Sequence, residues 1–302
     1  VKRRTRNLPD VPERFPRAFQ DLLHDLLARG PRLPGGKTEH ERSKRRVLSQ
    51  SGTFVGHRRY VRGDDLRRID WAACARTGEL FVKQFEEEER RALTLLLDLS
   101  PSLLAGIAPR RLFMLRLAAI IGGLALRHLD GLTVIAPGAS GSAAVASFEG
   151  PGELDALLAH LDALPVAAAT PEAAIGVVLK RGVAGRLHWI SDFVDPTSCE
   201  LPLAALRRRG AAVTGWLPML AEDRQAPVRG YLKLADLETG AELTVAVDQA
   251  LAAEMQHQLE LLARQQDRLF AQCGYLLRRW PVPAPADFQP AAWQQIVQWC
   301  SR

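Results

Sequence analysis

Six residues, Ala92-Leu93-Thr94-Leu95-Leu96-Leu97, run almost wholly apolar, and the chain then turns to Asp98-Leu99-Ser100. A strand with one wet face alternates apolar and polar residues. An unbroken apolar run belongs to a strand covered on both faces, as in parallel sheets layered with helices. The downstream sequence supplies the partners such a strand needs. A helix is expected at about 110–128, strands at 132–136 and 143–148, and helices at 151–163 and 171–181. A strand at 186–193, a helix at 200–209 and a strand at 212–218 complete the series. Strands alternating with helices imply crossover connections, hence an α/β, doubly wound, mostly parallel sheet of Rossmann type.

The flanking regions read differently. Phe19, Leu22, Leu23, Leu26 and Leu27 recur at helical spacing and stop at Gly30-Pro31, so 16–29 is a short amphipathic helix. Residues 52–62 and 80–85 read as strands, with a turn at Gly63-Asp64-Asp65. After the sheet series, 231–247 reads as a hairpin turning near Glu238-Thr239-Gly240. A helix at 249–272, a strand at 275–280 and a helix at 287–300 finish the chain.

With 302 residues, 47% of them hydrophobic, the chain can bury a large core without staples. Its four cysteines (Cys74, Cys199, Cys273, Cys300) form no close pairs, which excludes a disulfide scaffold and a Cys-x-x-Cys metal or redox site. There is no uncharged apolar run of about 18 residues, so no membrane span is expected. Val1-Lys2-Arg3-Arg4 leads into no apolar core, so no signal peptide is expected either, and the expected location is cytoplasmic.

Charge is unevenly placed. Residues 1–62 carry 16 basic and 6 acidic side chains, the rest 24 and 28. The basic character therefore belongs to an N-terminal arm, densest at Arg42-Ser43-Lys44-Arg45-Arg46. Such an arm can meet nucleic-acid phosphates or an anionic surface, or simply remain solvated or pair with acidic groups. Few aromatics interleave with these charges, which argues against single-strand stacking and against nucleic acid as the partner.

Familiar catalytic signatures are missing. The sequence has no phosphate-binding Gly-x-x-x-x-Gly-Lys-Ser/Thr loop, no Gly-x-Gly-x-x-Gly after the first strand of the series, no His-Glu-x-x-His and no Gly-x-Ser-x-Gly. His188 lies inside a strand and reads as a core residue. The chemistry that remains is rich in oxygen. Asp98-x-Ser100-x-Ser102 ends one apolar strand and Ser191-Asp192 ends another. In a doubly wound sheet, ligands bind outside such strand ends. Carboxylates and hydroxyls meeting there suit a hard cation such as magnesium.

These residues carry a resemblance. Asp98-x-Ser100-x-Ser102 after a hydrophobic strand resembles the metal-ion-dependent adhesion site of von Willebrand factor A domains. More specifically, three stretches look like the signature of the bacterial domain of unknown function 58 family. They are Tyr60-x-x-Gly63-Asp64-Asp65-x-Arg67-x-Ile69-Asp70-Trp71, then Ala75-Arg76-Thr77-Gly78-Glu79-Leu80, and Phe85-Glu86 with Glu89. Ile190-Ser191-Asp192-Phe193 and Leu234-x-Asp236-x-Glu238-Thr239-Gly240 are similar to later motifs of that family. The match spans about 45–280 and resembles the family's shorter, soluble type.

The resemblance implies three parts. Residues 1–89 would form the basic arm and a family-specific segment, 90–222 the von Willebrand factor A-like domain, and 223–302 a C-terminal hairpin and helices. It implies a metal set of Asp98, Ser100, Ser102, Thr170 and Asp192, holding Mg2+ or else Mn2+ or Ca2+. Pro171 stands where the family more often has a polar residue, and Leu103 replaces its usual methionine.

In the family-specific segment, Asp64, Asp65, Arg67, Arg68 and Asp70 place opposite charges around a turn, and Arg76 can fork onto a carboxylate. The expected arrangement is a clamp locked by ion pairs and docked by a buried Trp71, whose truncation would cost about 3–5 kcal/mol. The other reading of the same residues is a partner-recognition surface. The function implied is a non-enzymatic, metal-dependent protein-interaction adaptor. It would work beside a MoxR-type AAA ATPase on an acidic client, in chaperone-like assembly or maturation of protein complexes. Two alternatives stand beside it: a metal-assisted hydrolase or phosphotransferase using Asp98 and Asp192, and a binder of nucleic acid or anionic surfaces through the basic arm.

Overall fold

The apolar and amphipathic runs become strands and helices in a computed structural model that describes residues 14–30, 53–62, 64–86, 92–100, 109–128, 131–138, 142–164, 172–183, 185–220, 223–224, 230–235, 241–282 and 290–300. These residues fall into two compact units. One comprises 53–86; the other comprises 14–30 together with the residues from 92 onward.

In chain order the elements are α1 (Arg17–Arg29), β1 (Thr53–Arg59), α2 (Trp71–Thr77), β2 (Phe81–Glu86), β3 (Ala92–Leu97), α3 (Pro109–His128), β4 (Gly131–Pro137), β5 (Ala143–Phe148), α4 (Leu154–Ala163) and α5 (Glu172–Arg181). They continue with β6 (Arg186–Ile190), α6 (Pro196–Arg208), β7 (Ala212–Met219), β8 (Gly230–Ala235), β9 (Glu242–Val247), α7 (Gln249–Gln272), β10 (Leu276–Pro281) and α8 (Pro290–Cys300).

The larger unit is built on a six-stranded sheet in the order β10-β7-β6-β3-β4-β5. Every neighbouring pair is parallel except β4 with β5, which makes β5 an antiparallel edge. The unalternated run of β3 is explained at once. Leu93, Leu95 and Leu97 join a core layer with α1, α3, α4 and α8, while Leu96 joins a second layer with α5, α6 and α7. Helices therefore cover both faces, as expected for a doubly wound α/β sheet. The most enclosed helix is α3, buried on nearly every residue from Leu112 to Leu126. A helix buried all round, here with Arg116 as its one charged residue over that stretch, has no solvent face to offer.

Topology reverses direction at one point of the sheet. From β3 the chain moves through β4 to the β5 edge, then returns to lay β6 on the other side of β3 before continuing to β7 and β10. Winding reverses between β3 and β6, and in doubly wound sheets ligands bind outside the strand ends at such a point. The register of that pair is fixed at its start by Gly185. Its φ is +86°, and a Cβ there would lie 2.1 Å from the Ala92 carbonyl oxygen. Only glycine fits both the left-handed backbone and the close approach. Arg186 then pairs with Leu93 and Ile190 with Leu97.

In the larger unit two elements differ from expectation. Strand β6 stops at Ile190, and α6 begins at Pro196, four residues before the expected start. Asp195 accounts for the early start: its side chain accepts from Thr197 N, and Pro196 occupies the first turn, where its missing N–H costs nothing. The hairpin of β8 and β9 forms with Gly230 opposite Val247. Its tip, with Asp236, Glu238, Thr239 and Gly240, lies outside the described residues.

In the smaller unit, β1 and β2 pair antiparallel, with an irregularity between Phe54 and Gly56. The connection holds a 3-10 turn at Leu66–Arg68 and the helix α2. That helix is seven residues long, too short for a helical repeat to stand out in the sequence.

Candidate functional site

Asp98 and Ser191 stand one residue beyond the ends of β3 and β6, at the reversal point. The sheet pairing runs on into them: Asp98 N donates to Ile190 O at 2.9 Å and Ser191 N to Trp216 O at 3.1 Å. Both residues are thus held by backbone before their side chains act. Asp98 Oδ1 accepts from Ser100 N at 2.9 Å, folding the chain back over the strand end. Its Oδ2 accepts from the Ser191 hydroxyl at 2.6 Å, which ties the two strand ends together. Ser191 Oγ in turn accepts from Phe193 N at 3.1 Å.

Asp192 comes next, its Oδ1 accepting from Val194 N at 3.3 Å. The loop around it is shaped by a distant residue. The buried Gln266 of α7 donates to both Asp192 O (3.2 Å) and Phe193 O (2.9 Å). Gln266 Oε1 accepts from Arg279 Nη2 at 3.1 Å, which fixes which end of the amide donates. Phe193 takes a φ of +49°, the one positive value outside glycine among the described residues. That conformation is costly for a bulky residue. Here it is held by the Gln266 hydrogen bond and by T-shaped packing of the Phe193 ring on Trp189 and Phe270.

Asp98, Ser100, Ser191 and Asp192 are all buried. A cation that the sequence did not point to approaches Asp192. Arg110, in the first turn of α3 and only 6% exposed, brings Nη1 to 3.9 Å from Asp192 Oδ2. Its Nη2 donates to Asp223 Oδ2. Asp223 also accepts from Leu220 N at 2.7 Å.

Of the expected metal set, Asp98, Ser100 and Asp192 therefore share this rim, whereas Ser102 and Thr170 lie outside the described residues. The chemistry of the described donors is carboxylate and hydroxyl oxygen, which fits a hard divalent cation. Among the described residues no three His, Cys, Asp or Glu side chains gather, so a cation here would depend on hydroxyl ligands. Arg110, Asp223 and Gln266 escaped sequence reasoning because they arrive from separate elements, with no local spacing to announce them.

Nearby nucleophiles are subdued. Burial pushes the Cys199 thiol up to about 11. His188 is a core residue, as expected: its Nδ1 accepts from Trp216 Nε1 at 2.9 Å, and burial lowers its imidazole to about 3.

In the smaller unit the motif carboxylates are engaged by groups of that unit. Asp64 takes a two-pronged hydrogen bond from Arg58 (2.6 and 2.8 Å) and another from Val61 N, which together hold its carboxyl below the usual range. Asp65 accepts from Arg67 N and starts the 3-10 turn. Asp70 caps α2 through Ala72 N and Ala73 N, and its other oxygen meets His57 Nε2 at 2.7 Å and Lys83 Nζ at 3.7 Å. The His57 hydrogen bond leads the causes that lower Asp70 to about 2. Tyr60 N donates to Leu80 O, and Gly78, at φ +72°, closes α2. Gly63 lies outside the described residues.

One expectation fails in this unit. Trp71 is 67% exposed, not buried as expected. As the first residue of α2, directly after the capping Asp70, it is held by backbone geometry without being buried. Val61, Leu66 and Leu80 are exposed too, as are Arg67 and Arg76.

Comparison with known proteins adds to this geometry. Uncharacterized proteins of Mycobacterium tuberculosis (strain ATCC 25618 / H37Rv) and Mycobacterium bovis are each 29% identical over 217 residues, covering 68% of this chain and 67% of theirs. Among solved structures, the conserved hypothetical protein BatB from Bacteroides thetaiotaomicron is 15% identical with a TM-score of 0.38, over 69% of this chain and 98% of that one. An aerotolerance-related membrane protein from Bacteroides fragilis is 14% identical with a TM-score of 0.38, over 68% and 98%. Among the described residues of this chain, no helix is long and apolar enough to cross a membrane. A family model described as protein of unknown function DUF58 matches residues 56–266, from the β1 strand to Gln266, and the chain belongs to that family.

Proposed function

We propose that this protein is an interaction module that grips a carboxylate of a partner protein at the carboxyl rim of its sheet. The observation that carries the reading is the Ser191–Asp98 hydrogen bond across the winding reversal, with Ser100 and Asp192 buried beside it. Oxygen donors have been taken out of water and fixed in place where doubly wound sheets bind ligands. Asp98, Ser100 and Asp192, with Ser102 and Thr170, would hold Mg2+ or a similar ion, which when bound supplies an open coordination position for a partner's Asp or Glu. The chain's own residues do the positioning. Ser191 and Ser100 N orient Asp98, and Gln266 sets the backbone that presents Asp192.

The partner we propose on the family resemblance is a MoxR-type AAA ATPase, with an acidic client in assembly or maturation of protein complexes. The sequence has no phosphate-binding loop, so nucleotide hydrolysis falls to that partner. Val61, Leu66, Trp71 and Leu80 of the smaller unit are exposed, and large apolar side chains left in water suit protein contact.

The test is capture of a MoxR-type ATPase and its client with and without Mg2+. Ser100→Ala combined with Ser102→Ala is expected to abolish cation-dependent capture while far-UV circular dichroism stays native. Capture that persists in chelator, or in the double variant, overturns the reading. Metal-dependent turnover of phosphoester substrates would favour the enzyme alternative instead.

A further inference from the structure

Arg110 stands where a second positive charge is least welcome if the rim is to take a divalent ion. Its guanidinium is buried, within ion-pair range of Asp192 and hydrogen-bonded to Asp223. It also sits in the first turn of a 20-residue helix, the end whose dipole disfavours cations. Local structure therefore does not hold Arg110 there; the two carboxylates do. The two contacts are unequal. At 3.9 Å the approach to Asp192 is charge without a hydrogen bond, whereas Asp223 receives one directly. The buried Nε of Arg110 meets no hydrogen-bond acceptor among the described residues. An arginine with one strong seat, one weak seat and an unsatisfied donor is poised to shift.

We infer that Arg110 is the resident counter-ion of the rim: it competes with the divalent cation for Asp192 and retires to Asp223 when the cation binds. This rests on the reading that Asp98, Ser100 and Asp192 accept a cation, and it adds a control on that site. Two like charges on one buried carboxylate repel strongly at low effective dielectric, so occupancy by one weakens the other. Asp223 keeps the displaced guanidinium paired, since an uncompensated buried charge is unfavourable.

The experiment is calorimetric titration of the full 302-residue chain with Mn2+ alone, for wild type, Arg110→Gln, Asp223→Asn and the double variant. Arg110→Gln is expected to bind Mn2+ at least about tenfold more tightly. Asp223→Asn is expected to bind more weakly, because Arg110 then has only Asp192. In the Arg110→Gln background, Asp223→Asn is expected to have little further effect, and that non-additivity is the signature of a handover. A second measurement does not depend on the variants folding. In the wild type, the Arg110 Nε–Hε resonance is expected to shift with the same midpoint as Mg2+ addition.

The outcomes separate the two claims. Binding by Arg110→Gln but not by wild type supports Arg110 as the resident cation. Equal affinity in both, with an unmoved Arg110 resonance, overturns the competition and leaves the cation site standing. No binding by either overturns the cation site, and the competition with it.

Discussion

Trp71 and His188 show how far a single side chain's role depends on what surrounds it. Trp71 is large and apolar, yet 67% exposed, so truncating it removes little buried surface. Trp71→Ala is expected to leave thermal stability within about 0.5 kcal/mol of wild type, as for other exposed substitutions. A drop in melting temperature worth several kcal/mol would show that it is covered in solution. His188 is the opposite case. Burial, then the nearby Arg186 and Arg278, lowers its imidazole from 6.5 to about 3. The unfolded chain takes up that proton near pH 6.5 and the folded chain not until about pH 3. Its contribution to stability is therefore complete above pH 6.5 and drains away as pH falls toward 3. An NMR titration is expected to show His188 neutral at pH 5; protonation near pH 6.5 would contradict it. At this scale the sequence revealed His188 as core from its place inside a strand. Trp71 could not be read that way, because apolar size says nothing about which side of a short helix faces water.

Elements were legible wherever one repeat dominated. The run of β3, the helical spacing of α1 and the alternation of strands and helices each stand out because burial imposes its period on the sequence. The misses are capped elements. Seven residues of α2 carry too little periodicity to announce themselves; Asp70 and Gly78 define that helix. Asp195 likewise starts α6 ahead of its apolar stripe. Gly185 ties an element to the site, since the β3–β6 register set there carries Ser191 to Asp98. Gly185→Ala is expected to cost at least about 1 kcal/mol, because a Cβ must relieve both the backbone strain and the approach to Ala92. Chemical denaturation measures it. A midpoint equal to wild type would mean that the register tolerates a side chain there.

At the scale of the whole molecule, architecture was more legible than the site. The doubly wound sheet follows from local patterns repeated along the chain, and its winding reversal marks the point at which sheets of this kind bind ligands. Asp98, Ser100 and Asp192 could be named because each follows an apolar strand. Arg110 and Gln266 could not, because their contacts span long sequence separations that no local pattern encodes: 113 residues from Arg110 to Asp223 and 74 from Gln266 to Asp192. The second of these spans bears on biosynthesis. A nascent chain can emerge from the ribosome with β3 and β6 already paired, yet the loop at Asp192 and Phe193 gains its two amide anchors only once Gln266 has been synthesised and has left the exit tunnel. During translation that loop stays without these anchors until then.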